Sequence, residues 1–143
     1  MASPKIIIGY ARMWPREVFE KFEPEESKGR KIIMAKSSKF LEGPGVYILY
    51  RDDEPYYIGQ AEKLRRRLWS HAIKPDSRYY HFWNFFSAFA IDDRSFRNEV
   101  EGILIAALPT AANSAKPKLP KEKMPKNVGI LLRKIYAGRI PSP

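Results

Sequence analysis

Two β-forming runs stand either side of a compact polar turn. Val46-Tyr47-Ile48-Leu49-Tyr50 is followed by Asp52-Asp53-Glu54-Pro55, and then by Tyr56-Tyr57-Ile58. β-Branched and aromatic residues bounded by turn formers at this separation predict a β-hairpin. Gly43-Pro44-Gly45 punctuates its start, and Gly59 is expected to end it. A chain that opens a domain this way needs an element to cover at least one face of the hairpin, because two strands alone bury too little.

The following residues supply such elements. Ala61, Leu64, Leu68 and Ala72 fall on one face of a helix predicted from ~61 to ~72, with Lys63, Arg67 and His71 on the polar flank beside it. From His81 to Ile91 the chain is dense in aromatics with no breaker, which predicts a central strand. Asp92-Asp93 then offers caps for a second helix, with Phe96, Val100, Ile103, Leu104 and Ala107 facing inward and Pro109 stopping it. Hairpin, helix, strand, helix predicts an α+β domain over residues 43–115, a small three-stranded sheet with flanking helices.

Residues 1–42 read as an N-terminal extension, with a short strand at Lys5 to Gly9 and a helix opening at Pro15 that turns Val18, Phe19 and Phe22 to one side. No role follows from its apolar patch Ile32-Ile33-Met34. Residues 116–143 read as a Lys/Pro-rich basic tail ending in a short helix, with Val128, Leu131, Leu132 and Ile135 on one packed face. The tail holds eight Lys/Arg against the single acid Glu122, so it carries most of the chain's net +10. That balance favours a polyanionic partner, nucleic acid first, but argues only about association.

Composition narrows the chemistry. The 143-residue chain has no Cys and only His71 and His81 as histidines, which excludes disulfides, thiolate zinc sites and a histidine cage. Any metal must rest on carboxylates and water. The run Ile6-Ile7-Ile8 is too short for a signal-peptide core, and no stretch approaches the roughly 18 apolar residues of a membrane span, so a cytoplasmic protein without a membrane segment is expected.

Five pieces in order resemble the GIY-YIG nuclease superfamily. Gly45-Val46-Tyr47 is similar to the first signature element, with Val for Ile, and Tyr57-Ile58-Gly59 matches the second. Gly59 through Leu68 resembles the helix that supplies the essential arginine, which aligns with Arg67, and His71 matches a histidine of many members. Glu101-Gly102-Ile103-Leu104-Ile105 resembles the acidic helix, with Asn113 at the expected distance beyond it. Glu99 competes with Glu101 on helical periodicity alone; the small residue after Glu101 and the spacing to Leu104 and Asn113 favour Glu101.

The resemblance spans residues 44 to 115. It implies a metal-dependent endonuclease that hydrolyses phosphodiester bonds, with DNA as the expected substrate. Tyr47 would be the general base or relay, supported by Tyr57; Arg67 would stabilise phosphoryl charge, and Glu101 would hold one Mg²⁺ or Mn²⁺. His71 and Asn113 complete the implied site, Asn113 with a structural alternative in which its side chain fixes the end of the acidic helix. Lys63, Arg65, Arg66, Lys116 and Lys118 are the expected phosphate contacts. The residue types suit the task, since a hard cation on a carboxylate and a guanidinium fork both take phosphate oxygens. An unperturbed tyrosine, titrating near pH ~10, needs help to act as a base at neutrality. The alternative is a nucleic-acid-binding module of the same fold that does not cut.

Overall fold

A computed structural model describes residues 5–20, 39–74, 82–110, 113, 116–117 and 119–139. Expectations for Phe22, the patch 32–34, His81 and Lys118 lie outside the described residues. The elements run β1 (Gly9–Pro15), α1 (Glu17–Glu20), a 3₁₀ turn (Lys39–Glu42), β2 (Gly45–Arg51), β3 (Glu54–Ala61), α2 (Leu64–Ile73), β4 (Phe85–Ala90), α3 (Arg94–Ala107) and α4 (Lys126–Arg139).

The class is α+β, and the sheet is antiparallel with order β1-β4-β2-β3. The sheet therefore has four strands, correcting the expected three. The added strand comes from inside the N-terminal extension, four residues downstream of the predicted start. β1 pairs with β4 from Gly9↔Ala90 to Pro15↔Phe85, with a bulge between Ala11 and Trp14 that puts Met13 at φ 54. Arg12-Met13-Trp14-Pro15 has no clean alternation, so strand periodicity does not mark it. Its pairing is set by the open edge of β4.

The hairpin forms in the predicted place but runs further. Arg51↔Glu54 closes a two-residue turn whose first residue, Asp52, has φ 56. Asn84 clamps that turn, accepting from the Asp52 backbone N–H (2.7 Å) and donating to its carboxylate (2.9 Å). Gly59 does not end the hairpin, because β3 continues to Ala61 with Gly59 opposite Tyr47.

The core lies in two layers. On one face Tyr47, Leu49, Phe86 and Ala88 pack with Leu64, Leu68 and Ala72 of α2, and with Ala11, Phe19, Leu41 and Trp83. Leu64 and Leu68 are fully buried, each stabilising the layer by roughly 1.5–3 kcal/mol. On the other face Val46, Ile48, Ile58 and Ile91 meet Val100, Leu104, Ile105 and Leu108 of α3. The expected inward face of α3 is thus rotated: Phe96, Ile103 and Ala107 are exposed, and Arg97 and Gly102 are buried. Gly102 packs closely there, where a Cβ would lie 3.0 Å from the Leu119 side chain of the following segment.

Asp93 caps α3 as predicted, its Oδ1 accepting from the Ser95 and Phe96 backbone N–H groups at 2.8 and 3.2 Å, a cap worth about 1 kcal/mol. The terminal helix also forms, but its apolar residues do not pack as expected. Val128, Leu131 and Ile135 remain exposed, Leu131 at 55%. Nothing in their helical spacing distinguishes a stripe that meets the domain from one that does not.

Candidate active site

Tyr47 is built into the middle of the sheet. β2 lies between β4 and β3, so Tyr47 is flanked by Ala88 on one side and Gly59 on the other. Both neighbours are small, and at Gly59 that is a requirement: a Cβ would fall 2.6 Å from Tyr47 Oη and 2.8 Å from the Tyr57 ring. The phenol thus lies across bare backbone, and the second glycine of the motif gains a physical reason. Gly45 is equally constrained, since a Cβ there would meet the Phe89 carbonyl oxygen and the Leu64 side chain.

Tyr57 sits two residues from Gly59 and on the same face of β3. Its ring centroid is 6.0 Å from that of Tyr47 in a tilted pair. Tyr57 is half-buried and packs against the core layer that holds Tyr47, which is 1% exposed.

α2 supplies the next two residues. Its first turn is docked by the Gly43 carbonyl, which accepts from Leu64 N–H at 3.0 Å. Its far end is held by Arg16, whose guanidinium donates to the Ala72 and Trp83 carbonyls at 2.8 and 3.1 Å. His71, expected on the polar flank that borders the buried stripe, is only 5% exposed once α2 is docked in this way. The Tyr47 hydroxyl and His71 Nε2 are 3.0 Å apart. Burial, and then the positive charge of Arg67, lower the His71 pKa from 6.5 to about 4. The imidazole is therefore neutral at pH 7 and accepts the hydroxyl proton at Nε2 when its own proton is on Nδ1.

Arg67, one turn before His71, is exposed. It lines a shallow cleft of about 430 Å³ with Gln60, Lys63, Arg66, Trp69 and Lys74. Of the expected phosphate contacts, Lys63 and Arg66 share this cleft. Arg65 turns to Glu42 at 3.9 Å. Lys116 is exposed in the segment after α3.

Glu101 lies on α3 and thus on the layer opposite α2. It is half-buried on the side of α3 facing the sheet, whereas Glu99 is exposed. Three residues earlier, on the same helical face, Asn98 accepts from Gln60 Nε2 at 2.8 Å, which ties that face to the end of β3. Arg97 strengthens the tie: it is 4% exposed, donates to the Ile91 and Asp92 carbonyls, and meets Glu62 at 3.3 Å. Neither Arg97 nor the Gln60–Asn98 pair is marked by the motif pattern; a basic residue one turn inside an apolar helix is their only sequence signal.

Asn113 does something other than close the end of α3. Its Oδ1 accepts from Ile58 N–H at 2.8 Å and its Nδ2 donates to the Ile58 carbonyl at 2.9 Å. One amide thereby completes the outer edge of β3 as a neighbouring strand would. The structure thus brings Tyr47, Tyr57, His71 and Arg67 together on the α2 side, with Asn113 on the outer edge of β3 and Glu101 on α3 across the sheet.

Among the described residues no group of three or more His, Asp or Glu side chains gathers to form a metal cage. The donor set instead fits a hard cation on one carboxylate that keeps most of its waters. No helix among the described residues is long and apolar enough to cross a membrane.

No family model matches the chain, and no curated protein matches it. Among solved structures it is similar to the GIY-YIG N-terminal endonuclease domain of UvrC from Thermotoga maritima bound to magnesium, its catalytic divalent cation. The two share 27% identity and a TM-score of 0.45, over 54% of this chain and 93% of that one. An asparagine-to-alanine point mutant of the same domain aligns at 26% identity and a TM-score of 0.47, over 55% of this chain and 94% of that one.

Proposed function

We propose that this chain is a metal-dependent endonuclease that hydrolyses phosphodiester bonds, with DNA as its substrate. The observation that carries the reading is the buried Tyr47–His71 pair, 3.0 Å apart, beside Arg67. A tyrosine serving only the core needs a partner for its hydroxyl, and any carbonyl would do. A histidine held neutral next to a guanidinium is a costlier choice, and sites with perturbed titration are disproportionately functional.

In this reading Tyr47 takes the proton of the attacking water at Oη, either as the phenolate or as a relay that passes its own hydroxyl proton to His71 Nε2 as the new one arrives. His71 orients it: by taking the hydroxyl hydrogen at Nε2 it leaves the Oη lone pairs directed away from the imidazole. Because His71 titrates near pH 4, it keeps this role across the neutral range. Tyr57 supports the Tyr47 ring, and Arg67 places a guanidinium fork where phosphoryl charge builds. Glu101 is the residue that would hold Mg²⁺ or Mn²⁺, which when bound supplies positive charge for the phosphate oxygens and acidifies coordinated water. Residues 43–115 would form the nuclease unit, with β1 completing its sheet and the basic tail 116–143 adding affinity for phosphates.

The direct test incubates pure protein with supercoiled plasmid in Mg²⁺, in Mn²⁺ and in chelator. Nicked or linear product with metal and none with chelator is expected. Tight binding without cutting under every condition would favour the alternative of a non-cutting nucleic-acid-binding module.

A further inference from the structure

α2 carries more than Arg67 on its exposed side. Lys63, Arg66, Arg67, Ser70 and Lys74 recur at helical spacing and span twelve residues, the ten of α2 and its two caps, or about 16 Å. Trp69 stands beside this track and is 41% exposed. It lines two shallow clefts, one shared with Arg67 and Lys74, the other with Glu42 and Arg65; Lys63 and Arg66 line both. The Lys74 ammonium is 5.9 Å from the centroid of the Trp69 ring.

The two acids beside these clefts are matched by other residues. Glu42 faces Arg65 at 3.9 Å, and Glu62 faces the buried Arg97 at 3.3 Å. The clefts are thus electropositive around a large, accessible indole. Neither the core nor the Tyr47–His71 arrangement uses that ring, since α2 is anchored by Leu64, Leu68 and Ala72 on its other side.

We infer that Trp69 is a stacking platform for an unpaired base, with Lys63, Arg66 and Lys74 holding the phosphates on either side, so that the substrate carries single-stranded nucleotides next to the bond being cut. This rests on the nuclease reading and names its substrate class. An exposed indole beside a basic track is how single strands are bound without sequence preference, each stacked base contributing ~1–3 kcal/mol. A fully paired duplex keeps its bases stacked on one another and has none to offer the ring.

The test is equilibrium binding in chelator, where no cutting occurs, using a blunt DNA duplex and the same duplex with a short single-stranded overhang. Trp69→Ala is expected to weaken binding of the overhang DNA by about 5- to 150-fold, leave the blunt duplex unchanged, and leave the salt slope of both unchanged. Trp69→Phe, which can still stack, should recover most of the loss. Lys74→Gln should flatten the overhang salt slope by roughly 0.7. Overhang DNA should also quench tryptophan fluorescence in the parent and much less in Trp69→Phe, because Trp83 is buried and Trp14 half-buried. Equal loss on both DNAs, or no loss on either, overturns the inference. Failure of the parent to cut the overhang DNA with metal would count against the nuclease reading alone, because the binding measurement needs no cleavage.

Discussion

Tyr47 Oη and His71 Nε2 lie 3.0 Å apart with both residues almost wholly buried, and they are 24 residues apart in the chain. His71 is neutral in the fold down to about pH 4, while an unfolded histidine binds its proton near 6.5. Between those values the unfolded chain holds more protons, so stability contributed by His71 is fully present above about pH 6.5 and is lost as pH falls toward 4. The loss is roughly 3 kcal/mol at most. Denaturant midpoints measured across this window should fall for the parent, and fall less for a folded His71→Gln. Parallel curves would show that His71 does not titrate in this way. The acid limb of the cleavage rate should likewise lack a step near pH 6.5.

Gly59 is fixed by what lies over it. Gly59→Ala would drive a methyl into Tyr47 Oη and the Tyr57 ring, neither of which is the end of a flexible chain. A cost of about 1–3 kcal/mol in stability is expected, with cleavage falling further than stability explains because both tyrosines shift. Thermal melts and rates on the same preparation check this.

Glu101 and Glu99 are separated by their surroundings, one half-buried toward the sheet and one in solvent. Glu101→Gln should abolish metal-dependent cutting while leaving the fold and DNA affinity in chelator unchanged; Glu99→Gln should cut normally. The reverse pattern would move the metal-holding role to Glu99.

Arg67 is exposed on the cleft side of α2. If its fork acts on charge that develops only in the transition state, Arg67→Ala should lower single-turnover cleavage by about 10²–10³-fold and affect binding far less. Arg67→Lys should restore binding and only part of the rate, since lysine keeps the charge without the planar pair of donors. A folded Arg67→Ala that cuts like the parent at saturating substrate, while Arg65→Ala or Arg66→Ala is inactive, would sink the motif alignment.

Asn113 replaces a strand partner for Ile58. Asn113→Ala leaves the Ile58 N–H and carbonyl without that partner at a part-buried edge, so a loss of about 1–3 kcal/mol is expected. Asn113→Asp keeps the acceptor but removes the donor, and should fall between. Loss of cutting with an unchanged melting temperature in Asn113→Ala would instead place it in the chemistry.

Elements whose cause is local were legible in the order of residues alone. The turn residues 52–55 between β-forming runs make the hairpin, Asp93 starts α3, and Leu64, Leu68 and Ala72 mark the buried side of α2; each follows from neighbours a few residues away. The order of the motif pieces was legible for the same reason. Features that depend on distant partners became visible only in the folded chain. β1 joins the sheet because β4 presents an edge to it, although Arg12 to Pro15 has no strand rhythm. His71, placed by helical spacing on the polar flank beside the buried stripe, is buried where it meets Tyr47. Gly59 looked like a terminator and is a clearance for two rings; the Asn113 side chain, which the structural alternative had fixing the end of the acidic helix, completes a strand edge instead. Periodicity reports which side of an element is apolar. It does not report which side chain from elsewhere arrives there, and burial, charge state and hydrogen bonding are set by that arrival.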